Sequence, residues 1–98
     1  MSQDEIKMDY PLMDEMKRTF ADGRQHLADT TNELKAIAEK LEQGALLGNA
    51  GSALTDAVKG TLMSAVSKLS DKFEELEGDI QFAVDQMHQA EEKTKASF

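Results

Sequence analysis

Apolar and small residues in the first half of the chain recur in steps of three and four: Met13, Met16, Phe20, Gly23, Leu27, Thr30, Leu34, Ile37 and Leu41. That period predicts an amphipathic helix with an unbroken heptad seam, in which Gly23 and Thr30 are the weak points. Glu15, Lys17, Arg18, Asp22, Arg24, Asp29, Lys35, Glu39 and Glu42 fall between the seam positions and predict a solvated face. The start is marked as well. Asp9 is a suitable N-cap, Pro11 sits in the first turn where a missing N–H costs nothing, and Asp14 and Glu15 complement the positive end of the helix dipole. Helix 1 is predicted over about residues 10–43.

The second half has another period. Leu54, Val58, Leu62, Ala65, Leu69, Phe73, Leu76 and Ile80 follow an eleven-residue repeat, about 3.67 residues per turn, and Ala83, Met87, Ala90 and Thr94 continue in threes and fours. Pro11 is the only proline, so nothing breaks this stretch. Helix 2 is predicted over about residues 52–92, with a frayed tail at 93–98. Between the helices, residues 44–51 hold three of the six glycines and predict a helix C-cap and turn, with Gly44 or Gly48 in the left-handed region. The adjacent Leu46 and Leu47 at this bend either plug the end of the structure or present an apolar knob.

Two long helices and a short connection predict a single all-α domain over residues 1–98, an antiparallel two-helix hairpin. Folding about residues 46–48 opposes positions whose numbers sum to about 92–96. Gly23 then falls opposite Leu69 or Phe73, and Leu34 opposite Val58 or Leu62. Such a hairpin has one contact stripe, yet Leu12, Ala21, Ala28, Ala36, Ala38, Ala57 and Val66 widen the apolar surface beside it. Burying that surface at roughly 25 cal/mol per Å² predicts dimerisation into a four-helix bundle. The expected packing and dimer seams are Met13, Met16, Phe20, Leu27, Leu34, Ile37 and Leu41 on helix 1, and Val58, Leu62, Leu69, Phe73, Leu76, Ile80 and Met87 on helix 2.

Composition narrows the function classes. With 98 residues, 5% aromatics, no Trp and no Cys, the chain lacks a bulky core, disulfides and thiolate ligands, and oligomerisation is the common remedy. A net charge of -8 with scattered basic residues argues against nucleic acid and anionic membrane surfaces. No apolar run approaches the roughly 20 residues that span a bilayer, and residues 1–10 do not form a cleavable secretory signal. His26 and His88 are single, and Asp71, Glu74, Glu75, Glu77 and Asp79 read as a charged face without the EF-hand pattern. The glycine-rich bend follows a helix and lacks a Lys-Ser/Thr, so it is not a phosphate loop. No catalytic residue, metal or cofactor is expected.

A chain of about a hundred residues with two long helices and a mid-chain bend resembles the WXG family, the Esx-like substrates of type VII secretion. Leu46-Leu47-Gly48 occupies the Trp-x-Gly place, Leu54 matches the bulky apolar position six residues after that glycine, and Ile6-Lys7-Met8-Asp9 looks like the family's extended start. Two departures stand out. Leu46 replaces the motif Trp, and the family's C-terminal Tyr-x-x-x-Asp/Glu signal is absent, since Tyr10 is the only Tyr. Phe73 and Glu77 have the signal's spacing but fall mid-helix on the core stripe.

The resemblance implies a non-enzymatic, antiparallel four-helix dimer, either a homodimer or a heterodimer with a paralogous hairpin. It also implies export without a cleaved signal peptide by a FtsK/SpoIIIE-type membrane ATPase, in place of the cytoplasmic location otherwise expected. The chain would be a type VII substrate or the partner of one. Two other readings of a helical hairpin are a structural protomer such as a needle subunit, whose turn is usually marked by proline, and a cytoplasmic coiled-coil adaptor.

Overall fold

The computed structural model describes residues 7–96, so Ile6 of the opening stretch and the last two residues lie outside the described part. Helix α1 runs Tyr10–Lys40. Asp9 is its N-cap: the backbone there is extended, and the Asp9 carboxylate accepts the Leu12 N–H at 3.0 Å. At Leu41 the helix widens into a π segment, Leu41–Ala45, which Gly44 ends at φ 101°. Leu46 is extended, and Gly48 takes φ 88° just before α2, Asn49–Asp56. Both glycines occupy backbone conformations that side chains disfavour. A second π segment, Ala57–Leu62, joins α2 to α3, Met63–Ala96. The two arms, 10–45 and 49–96, lie antiparallel in a rod of 75 × 19 × 19 Å.

The second arm begins earlier and ends later than the sequence pattern predicts. Gly51 explains the early start: the Leu46 carbonyl rests against its Cα, where any Cβ would overlap that carbonyl. The connection can therefore lie flat on the first turn of α2. At the other end, residues 93–96 continue the helix, and Lys93 and Lys95 sit in the last turn, where cations suit the helix dipole.

The register also differs from the expected sum of 92–96. Tyr10 meets Glu91, Arg24 meets Glu77 and Glu42 meets Lys59, pairs whose numbers sum to 101. Lys17 with Gln81 and Arg24 with Glu74 sum to 98. The extended connection accounts for the shift. An extended residue climbs roughly 3.3 Å and a helical one about 1.5 Å, so the extended Leu46 carries the chain past the end of the first arm before α2 turns back. Ala45 consequently lies level with Asp56, and the start of α2 projects beyond the first arm. The anticipated large-against-small contact is present: the Phe73 ring comes within 2.6 Å of where a Gly23 Cβ would stand. Phe73 also packs edge-on to Phe20, with ring centres 5.3 Å apart.

The hairpin seam corrects the predicted one. Its half-buried or buried residues on the first arm include Met13, Lys17, Phe20, Arg24, Leu27, Thr31, Leu34, Ala38 and Leu41, with Ala21, Gly23 and Thr30 half-buried beside them. Lys17, Arg24, Thr31 and Ala38 thus supply the alternate seam row in place of the exposed Met16 and Ile37, while Gly23, under the Phe73 ring, and the half-buried Thr30 stay at the seam's margin. On the second arm the seam runs Gly51, Thr55, Val58, then Met63, Val66, Ser70, Phe73, Glu77, Ile80, Val84 and Met87. The step from Val58 to Met63 is five residues and coincides with the second π segment. One extra residue taken up there converts the eleven-residue pattern into an ordinary heptad seam through α3. It also turns Leu62 outward and Met63 inward.

Glycine substitutions separate tight positions from free ones. Gly51→Ala is expected to lower stability by about 1–3 kcal/mol through the clash with the Leu46 carbonyl. Gly78→Ala, where a Cβ meets nothing within 4 Å, is expected to raise it by up to about 1 kcal/mol. Urea denaturation of both variants at one protein concentration checks the opposite signs.

Candidate functional site

The hairpin has two unlike edges. On one, polar side chains reach across from arm to arm. Lys17 Nζ donates to Gln81 Oε1 at 2.6 Å, Arg24 Nη2 donates to Glu77 Oε1 at 3.0 Å, and Lys59 pairs with Glu42. The Tyr10 ring stacks on His88 with centres 4.3 Å apart, and its hydroxyl donates to Glu91 Oε1 at 2.7 Å. His88 Nδ1 lies 3.7 Å from the other Glu91 oxygen. The Arg24–Glu77 pair is the most enclosed of these, with side chains 37% and 12% exposed. The bond to Glu77 pushes the Arg24 pKa further up, so the guanidinium stays charged. The grooves on this edge are open and mixed in character. One of about 420 Å³ is lined by Lys35, Ala38, Glu39, Glu42, Lys59 and Met63.

The opposite edge is apolar and only partly covered, with Gly23, Thr30, Leu76 and Ala83 half-buried. The first arm contributes Met16, Gly23, Thr30 and Ile37, and the second contributes Leu54, Leu62, Leu69, Leu76, Ala83 and Ala90. Met16, Ile37, Leu54, Leu62 and Leu69 are 43–47% exposed, large side chains half in water along one side of a rod. Phe82, 65% exposed, and Leu12 flank this edge. At the tip, Leu46 is partly exposed and Leu47 is 78% exposed, so Leu47 plugs nothing and stands out as a knob beside Gly48. Large apolar groups left wet in a contiguous row mark a contact surface.

The residues expected in the seams therefore divide between two surfaces. Met13, Phe20, Leu27, Leu34, Leu41, Val58, Phe73, Ile80 and Met87 join the two arms of one chain, while Met16, Ile37, Leu62, Leu69 and the half-buried Leu76 line the open edge. Leu54, matched to the bend motif, belongs to that edge too. Glu77, the last residue of the Phe73–Glu77 pair with signal-like spacing, is held by Arg24 inside the hairpin. The polar seam of Tyr10, Lys17, Arg24, Glu77, Gln81 and Glu91 escapes a search for apolar periodicity. Its sequence signal is opposite charge at seam spacing: Lys17 and Arg24 stand four residues after Met13 and Phe20. Among the described residues, no group of three or more His, Cys, Asp or Glu is placed to hold a metal ion.

Tyr10 reports on closure of the open end of the hairpin. Its hydroxyl pKa is pushed up to about 12 by desolvation, by the hydrogen bond to Glu91 and by that carboxylate's charge. A phenol whose folded pKa lies above the unfolded value of about 10 supports the fold below pH 10. That support is lost as pH rises from there through 12. As the only Tyr in a chain without Trp, it can be followed directly by tyrosinate absorbance. The titration midpoint is expected near 12, falling towards 10 in Glu91→Ala; a midpoint of 10 in the unaltered protein would show the contact is not formed in solution.

Comparison with known proteins adds one match. No curated protein and no solved structure matches the chain. The family model described as WXG100, "Proteins of 100 residues with WXG", matches residues 5–92. Members of that family are secreted substrates of type VII systems, and among the described residues no helix is long and apolar enough to cross a membrane. A hairpin of two long helices hinged at Leu46-Leu47-Gly48, matched over nearly its whole length, belongs to the WXG100 family.

Proposed function

We propose that this chain is a non-enzymatic hairpin that pairs with another hairpin, a second copy or a paralogue, into a four-helix bundle. In that form it is exported by, or acts as the partner of a protein exported by, a type VII secretion system with a FtsK/SpoIIIE-type ATPase. The observation that supports pairing is the open apolar edge. One face of a rod 75 Å long and 19 Å wide exceeds the roughly 800 Å² per partner of a standard stable interface. The polar cross-bonds sit on the other edge, so pairing there would strip water from Lys17, Arg24, Glu74 and Glu77, while pairing on the open edge mainly removes leucine and alanine from water. The role of the tip follows from its shape. Leu47 projects beyond the end of the first arm on a glycine-hinged bend, where the bundle leaves it available to the export machinery.

Two measurements test this reading. Leu69→Glu places a carboxylate mid-way along the open edge without touching the hairpin seam. Helical content should persist while association weakens about a hundredfold or more, as followed by sedimentation. Association unchanged in that variant would remove the edge as the contact surface. Deleting the secretion ATPase in the host should abolish the protein in the medium; undiminished export would reject the secretion role.

A further inference from the structure

We infer that the outward side of α3 around Phe82 docks an arginine-bearing segment of another protein, with the guanidinium lying on the Phe82 ring between Asp79 and Asp85. The inference stands apart from the pairing reading, because it concerns a side of the helix that neither the hairpin seam nor the open edge uses.

Phe82 is 65% exposed, and among the described residues no other aromatic ring stands exposed. Ile80 and Val84, two residues to either side, face the first arm. At about 100° per residue, two steps from each carry Phe82 round to the far side of α3. Neither the first arm nor a hairpin paired along the open edge covers it there. On a helix surface, residues three and four apart are neighbours. For Phe82 these are Gly78 and Asp79 on one side and Asp85 and Gln86 on the other, all exposed. Nothing lies within 4 Å of where a Gly78 Cβ would stand, so a step of bare backbone stays open next to the ring.

Charge identifies the occupant. No Lys or Arg occurs between Lys72 and Lys93, a stretch that holds seven carboxylates. Four of these are engaged: Glu75 by Lys72 at 3.0 Å, Glu74 and Glu77 by Arg24, and Glu91 by the Tyr10 hydroxyl. Asp79 has no partner among the described residues. Asp85 accepts only from the neutral Gln81 amide, at 2.9 Å. These two are the carboxylates that flank the ring. A cation arriving at Phe82 therefore meets an aromatic face and two uncompensated charges together. Arginine suits this setting better than lysine. Its planar guanidinium stacks on the ring while its N–H groups reach a carboxylate on either side, and its aliphatic stem can lie across Gly78. Nucleic acid and anionic lipid are repelled by the same carboxylates. An uncharged apolar partner would take water from Asp79 and Asp85 and give nothing back. The chain's own two arginines, Arg18 and Arg24, are engaged by Asp14 and Glu77, so the cation comes from another protein.

The probe is an alanine-based helical peptide with arginines four residues apart, titrated at low salt into the isotopically labelled full chain and followed by amide chemical shifts. The shifts should centre on residues 78–86. Binding should weaken about threefold in Phe82→Ala and about fivefold when Asp79→Asn and Asp85→Asn are combined. All three side chains are exposed, so helical content should be unchanged in these variants. A matched lysine peptide should bind about twofold more weakly than the arginine peptide. Binding that Phe82→Ala leaves unaltered would reduce the contact to general attraction by an acidic chain and overturn the proposal. Equal binding by the lysine peptide or by an uncharged leucine-glutamine peptide would overturn it too, as would shifts centred on the open edge or on Leu47, or no measurable binding. None of these results bears on association through the open edge, which Leu69→Glu tests separately.

Discussion

A helix with a single neighbour can bury only one side of itself, and this chain supplies apolar residues for more than one side. Met13, Phe20, Leu27, Leu34 and Leu41 lie in the middle of the first arm's apolar stripe, with Lys17, Arg24, Thr31 and Ala38 to one side and Met16, Gly23, Thr30 and Ile37 to the other. The second arm can cover the middle row and one neighbour only. It covers the polar one. The cost of placing Lys17 and Arg24 in a helix contact is offset because Gln81 and Glu77 meet them there, which desolvated cations require. Of the remaining row, Phe73 covers Gly23, and Met16 and Ile37 are left largely in water.

The two π segments adjust this division near the tip. A wider turn takes up one residue without breaking the helix. In the second arm it lets Val58 and Met63 both face inward although five residues separate them. Leu62 is thereby placed on the same outward row as Leu69 and Leu76. A regular α-helix through residues 57–62 would turn Leu62 into the hairpin and leave the outward row interrupted between Leu54 and Leu69. The extended connection has a matching effect. By overshooting the first arm it carries Leu54 beyond the last turn that its own hairpin can offer as cover.

The hairpin, its N-cap at Asp9, the glycine-marked reversal and the contact between Gly23 and Phe73 were all legible in the sequence, because each rests on local chemistry or on residue size. The alternate seam row was not. Apolar periodicity ranks Met16 and Ile37 above Lys17 and Arg24, and it cannot see that Glu77 waits on the opposite arm. The register was missed for a related reason: counting residues across a bend assumes equal rise, and Leu46 is extended. Residues 93–96 read as a polar tail, yet they continue α3 with Lys93 and Lys95 at the end where the helix dipole accepts them. The Leu-for-Trp change at position 46 is plain in the sequence, and the family match extends over it.

Partly buried ion pairs contribute little net stability, because desolvation offsets most of the attraction; their better-attested effect is on register. Arg24–Glu77 illustrates why register matters beyond the hairpin. If one arm slipped by a heptad, apolar residues would still meet apolar residues along much of the seam, but Arg24 would lose its carboxylate in an enclosed position. The slip would also shift the exposed apolar residues of one arm about 10 Å along those of the other. A polar contact on the closed edge therefore sets the geometry of the apolar edge across the molecule from it.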